Sequence, residues 1–142
     1  MRQLWKISLF LHPYNRQPAY IRRIMLAAFW IEAAAILWGA SFGDAFQAGV
    51  TQAFELSDKA LHVLAFFTIA LTSLWLWRPV WRIFSALFVF AAAIEALQTL
   101  LPNHEASVAD LIASTAGLLV SWIFLLVVSI WGRCRKRFEV GT

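Results

Sequence analysis

Apolar residues run through this chain in four long stretches, about 24–43, 60–77, 83–101 and 111–131, joined by connections of a few to about sixteen residues. Each stretch is close to the roughly 20 residues a helix needs to cross a bilayer. The pattern predicts an all-α, polytopic membrane protein built as a four-helix transmembrane bundle. Ahead of it, residues 3–11 carry Trp5 and Phe10 and stop at His12 and Pro13, which suits a short N-terminal interfacial segment lying along the membrane. The run from Ile7 to Leu11 is too short for the apolar part of a secretion signal, so the N-terminus is expected to be retained. The expected organisation is one compact domain: a cytoplasmic or interfacial segment over 1–23, a membrane domain over 24–131, and a basic cytoplasmic tail over 132–142.

Two stretches contain small residues four apart: Ala35, Gly39 and Gly43 in the first, and Ala113, Gly117 and Ser121 in the fourth. In lipid such stripes let helices approach closely, so both faces are expected to pack inward.

Composition agrees, since 61% of the residues are hydrophobic and 14% charged, against about 25% charged in soluble domains. Charge then orients the chain. Eleven of the twelve Lys and Arg residues fall in the N-terminal segment, the second connection and the tail; only Lys59 lies opposite. The positive-inside rule puts both termini in the cytoplasm and the segments 44–59 and 102–110 outside. These cations flank spans and suit anionic lipid, so nucleic acid is not the expected partner. The single cysteine, Cys134, leaves no internal disulfide.

The polar residues that interrupt the apolar pattern gather toward that outer end. Asp58 and His62 lie one helical turn apart at the start of the second stretch. Capping by Ser57 and complementing the helix dipole give Asp58 an ordinary role, whereas an imidazole just inside the bilayer edge needs a partner, and Asp58 is the nearest in sequence. Glu95 and Gln98 share a face near the end of the third stretch. Counted back from Pro102, Glu95 is expected on the order of 10 Å below the outer helix end, where an ionised acid costs a few kcal/mol unless it is paired, hydrated or protonated. Ser107 and Asp110 have capping-box spacing. Together with Ser114, Gly117 and Ser121 they form one stripe on the fourth helix. The expected functional cluster is Asp58, His62, Glu95, Gln98 and Asp110, with His104, Ser107 and Ser114 as weaker members, converging on a pocket open to the outside. The other side offers only Glu32 within a span.

Asp58-Lys59-x-x-His62, then Glu95-x-x-Gln98, then a short loop and Asp110 leading a small-residue helix with Gly117, resembles the VanZ-like membrane proteins over about residues 57–121. The resemblance implies a small four- or five-helix protein of the bacterial envelope. Its best-known member is associated with low-level teicoplanin resistance. Two positions depart from the family pattern: Asn103, His104 and Glu105 stand where an Arg is usual, and Ser114 stands where an Asn is usual. If that Arg engages an anionic group, His104 is the substitute here.

Three function classes follow. The first, favoured by the resemblance, is a protein of the bacterial cytoplasmic (inner) membrane whose outward pocket binds a lipid-linked envelope component or a glycopeptide-related ligand. The second is a noncatalytic subunit or scaffold of a larger envelope complex. The third is an ion- or proton-coupled transporter acting as an oligomer. Membrane lipid is the expected partner, with a lipid-linked precursor, a protein partner or further copies of the chain as additional ones. With no His-Glu-x-x-His and no Gly-x-Ser-x-Gly, the chain reads as a non-enzyme with no metal and no cofactor.

Overall fold

The structure is a computed structural model that describes residues 18–42, 49–50, 52–53, 57–77, 79–101 and 107–140, without the side chains of 42 and 132–140. The interfacial segment predicted over 3–11, the Gly43 end of the first small-residue stripe, and the loop residues Asn103, His104 and Glu105 lie outside the described residues.

Among the described residues four long helices make up the fold: α1 (Ala19–Phe42), α2 (Asp58–Leu76), α3 (Val80–Gln98) and α4 (Val108–Val140). All four contain a segment long and apolar enough to cross a membrane. The chain is therefore an all-α, multi-pass membrane protein. Each helix starts two to five residues before its predicted span, because polar or proline residues begin the helix while hydropathy begins only after them. The Pro18 carbonyl accepts the N–H groups of Ile21 and Arg22, Pro79 occupies the N-cap of α3, and Ser57 and Ser107 cap α2 and α4. The fourth helix does not stop at its predicted span end of 131. It continues to Val140; at 1.5 Å per residue, its 33 residues reach about 50 Å, well beyond a hydrocarbon core of about 30 Å.

The distribution of polarity is inverted relative to a water-soluble bundle. Trp30, Ile31, Trp81, Val89, Ile112 and Trp131 are each more than three-fifths exposed, while Thr72, Ser73, Glu95, Ser114, Ser121 and Ser129 are buried. Three of the buried hydroxyls satisfy themselves within their own helix: Ser73 donates to the Ile69 carbonyl at 2.6 Å, Ser121 to Leu118 at 2.6 Å and Ser129 to Leu126 at 2.8 Å, as groups away from water must. The buried Ser41 hydroxyl has no partner among the described residues.

Helix α2 is the hub, touching the other three helices, and its most extensive partner is α4. Its buried face (Phe66, Ile69, Ala70, Ser73, Leu76) meets Ile83, Leu87, Ala91 and Ile94 of α3 and Leu118 of α4. Both α2 and α4 begin at the same end of the bundle, so they run parallel although α3 separates them in sequence.

Gly117 is the point of closest approach. A methyl group there would overlap the Val63 carbonyl oxygen and stand 3.1 Å from the Phe67 nitrogen, so α4 meets α2 backbone to backbone. The Ala113, Gly117 and Ser121 stripe is buried as expected. The stripe on α1 behaves differently. Ala35 is exposed, and α1 docks instead through Phe29, Ala33, Ile36 and Ala40. Ala35 and Gly39 both line a cavity.

Replacing Gly117 by Ala is expected to destabilise the bundle by about 1–3 kcal/mol through overpacking, measured as a lower unfolding midpoint in detergent. Gly49, with nothing within 4 Å of an added methyl, is the control: Gly49→Ala is not destabilised. Equal midpoints for the two variants would contradict a backbone contact at Gly117.

Candidate functional site

The N-terminal ends of α2 and α4 sit side by side, and each brings an acid. Ser57 caps α2 by accepting the Ala60 N–H at 3.2 Å, which places Asp58 in the exposed first turn. His62 follows one turn later, half-buried. Its hydrogen-bond partner is Ser114 across on α4, with Oγ and Nδ1 3.4 Å apart, rather than Asp58 one turn above. Ser114, a weaker member of the expected cluster, is therefore the residue that holds the imidazole.

Asp110 completes the group. Each of Asp58, His62 and Asp110 offers an atom capable of ligation, and these atoms lie within 4.8 Å of one another. The Asp110 N–H donates to Ser107 Oγ at 3.3 Å, which is half of a capping box. In the other half the acid would accept the Ser107 N–H. That N–H goes elsewhere, to Glu95 Oε2 at 2.8 Å. Asp110 is thereby released from its cap, and its Oδ1 is buried without a hydrogen-bond partner.

Glu95 and Gln98 thus do not join the three-residue group as expected. Glu95 is buried and ties the end of α3 to the start of α4. Its expected depth is also corrected: α3 ends at Gln98, so Glu95 lies one turn, about 4.5 Å, from the helix end. Gln98 turns toward α1, where its Nε2 donates to the Ala40 carbonyl at 2.8 Å. That carbonyl is among the last four of α1, which no intrahelical donor can reach. Two side chains on one face of α3 therefore fasten two different neighbours.

Beneath the cluster lies a cavity of about 320 Å³ lined by all four helices. Its walls are mainly apolar, including Ala35, Ile36, Leu61, Phe66 and Ile94, while His62, Glu95 and Ser114 supply polar groups. Ala35, Leu64 and Thr68 are its exposed lining residues. They put an opening on the lateral face between α1 and α2, whereas the sequence led to a pocket open at the outer end. His62 and Ser114 belong to both features, so the ring that touches the acids also touches whatever enters the cavity.

Sequence reasoning passed over Glu32. Its Oε1 accepts the Thr72 hydroxyl at 3.2 Å, and its Oε2 is buried without a partner. The signal was present, since a lone acid inside a span is a functional candidate in its own right. It was set aside for lying away from the others.

The Glu95 bond to Ser107 makes a graded prediction. Glu95→Ala leaves that N–H without its acceptor and is expected to cost about 1–3 kcal/mol, whereas Glu95→Gln keeps an acceptor oxygen and loses less. Unfolding midpoints in detergent check the order, and equal losses would contradict the capping role.

A family model described as VanZ/LLP1 matches residues 3–129 of the chain. Neither the curated proteins nor the solved structures compared with it contain a match.

Proposed function

The chain belongs to the VanZ/LLP1 family, and from that membership and its lateral cavity we propose that it is a bacterial envelope protein that holds a lipid-linked ligand. The observation that carries this reading is one cavity with two chemistries: aliphatic walls with exposed rim residues on α1 and α2, and His62, Glu95 and Ser114 in the same lining. An amphiphile matches both, with its chain against Ile36, Leu64 and Phe66 and its polar part against the imidazole and hydroxyl. A volume of about 320 Å³ is at the lower end of the roughly 300–1,000 Å³ usual for ligand sites. It accommodates one segment of a chain with the adjoining polar group, and the remainder of such a molecule stays in the bilayer. Binding without chemistry fits the cluster, because Glu95 and Gln98 are already engaged in holding helices together.

In this reading the protein sits in the bacterial cytoplasmic membrane with both termini in the cytoplasm. The charge asymmetry of the connections and tail supports that orientation. The Asp58, His62 and Asp110 end then faces outward, where lipid-linked envelope components carry their headgroups.

Two measurements test these statements. Native mass spectrometry of the purified protein is expected to show retained lipid, and Ala35→Trp, which fills the cavity from its exposed rim, is expected to displace most of it. No retained lipid, or equal retention by Ala35→Trp, sinks the reading. For orientation, Cys134 is the chain's own reporter. A membrane-impermeant maleimide is expected to label it in inverted vesicles and not in intact spheroplasts; the reverse result overturns the topology.

A further inference from the structure

We propose that Asp58, His62 and Asp110 form a divalent-metal site of the zinc type, with three protein ligands and open positions, at the outer ends of α2 and α4. This goes beyond the lipid reading and does not depend on it: the ligands come from helix termini that the bundle holds together whether or not the cavity is filled.

The donor set is the first argument. One imidazole nitrogen with two carboxylate oxygens suits zinc, whereas magnesium and calcium favour oxygen alone. Spacing along the chain does not announce it, because only Asp58 and His62 are close in sequence; Asp110 comes from a helix 48 positions beyond His62. Only the parallel packing of α2 against α4 brings it in.

The second argument is the state of Asp110. Its Oδ1 is buried and unpartnered, although the nearest natural donor, the Ser107 N–H, is within the same turn. Glu95 takes that donor, which leaves a carboxylate oxygen with no hydrogen bond and an adjacent acid. An arrangement of this kind is costly for a structural role. A cation bound between the acids removes the cost.

Geometry and charge are compatible with it. Around a tetrahedral zinc with bonds of about 2.1 Å, ligand atoms stand roughly 3.4 Å apart. The ligand atoms lie within 4.8 Å of one another, so each pair has at most about 1.4 Å to close to that spacing, and Asp58 is exposed. Two helix N-termini contribute about half a positive charge each, which offsets roughly one of the two carboxylate charges. With His62 neutral, the site stays net negative and attracts a cation. With Nδ1 paired to Ser114, Nε2 is the nitrogen left for a metal, and Ser114 would orient the ring as the outer partners of metal-bound histidines do.

The experiment uses the full chain, chelator-treated in detergent, with Zn²⁺ as the probe in equilibrium dialysis read by elemental mass spectrometry. Wild type is expected to take up one Zn²⁺ per chain saturably. Asp58→Asn, His62→Gln and Asp110→Asn are each expected to weaken binding on the order of 10- to 100-fold, and Glu32→Gln to leave it unchanged. Asp58 is exposed, so Asp58→Asn remains informative even if Asp110→Asn fails to fold. Absence of saturable uptake by wild type, or undiminished affinity in Asp58→Asn, overturns the site. Lipid retention measured in the same chelator-treated protein keeps this result separate from that of the cavity.

Discussion

The structure depends on the backbone contact between α2 and α4 at Gly117. These helices are not neighbours in sequence, and they run parallel, so nothing local brings them together. The absence of a side chain at Gly117 lets α4 settle against Val63 and Phe67. The buried stripe of Ala113, Ser114, Gly117, Leu118 and Ser121 follows from that approach. Parallel pairing also fixes what happens at the helix ends. Two N-termini come to one place, and residues that each cap or complement their own helix become a group. Asp58 and Asp110 are unremarkable first-turn acids taken singly; side by side with His62 they are a site.

Hydrogen-bond accounting explains why the remaining polar residues take the places they do. In lipid the orphaned groups at helix ends have no water to turn to, so side chains from adjacent helices supply the partners. Gln98 serves the Ala40 carbonyl and Glu95 serves the Ser107 N–H. Each bond joins one helix to the end of another, so the same atoms both satisfy the backbone and set the relative height of α1, α3 and α4. The consequence for Asp110 is indirect. A carboxylate that would normally close its own cap is displaced by one arriving from α3, and it becomes available to its neighbours on α2.

Much of the fold was legible in the sequence because hydropathy is a long-range signal averaged over whole spans. Four stretches near twenty residues can hardly be anything but membrane helices, and the polar residues among them marked one end of the bundle. The limits lay where tertiary contact decides. The apolar spans begin later than the helices, since Ser57, Pro79 and Ser107 are polar or break the apolar count while serving as caps; the caps at Ser57 and Ser107 were themselves legible in the sequence. Of the five residues grouped because they lie toward one end, Glu95 shares a cavity wall with His62 while Gln98 bonds to α1; end and face are different coordinates, and periodicity gives the face only relative to the helix's own axis. Small residues posed the same difficulty. The stripe on α4 makes a close contact and the similar stripe on α1 lines a cavity, because what stands opposite a small residue is not written in its own helix.

His62 is where the two halves of the site are joined. Its Nδ1 pairs with the Ser114 hydroxyl on the cavity wall, and the ring also has a nitrogen within 4.8 Å of two carboxylates. A polar group entering the cavity competes with Ser114 for the imidazole, and a cation between the acids competes for the ring as a ligand. An imidazole has one donor and one acceptor when neutral, so whichever nitrogen is engaged on one side fixes what the other can offer. On the two proposals, a ligand in the cavity and a cation in the cluster would meet at this one ring, and any effect of one on the affinity of the other would be reciprocal. Ser114 matters to that linkage more than its size suggests. A hydroxyl can donate or accept at the same position, so it follows the tautomer of His62, where a group restricted to one role would hold the ring in a single state.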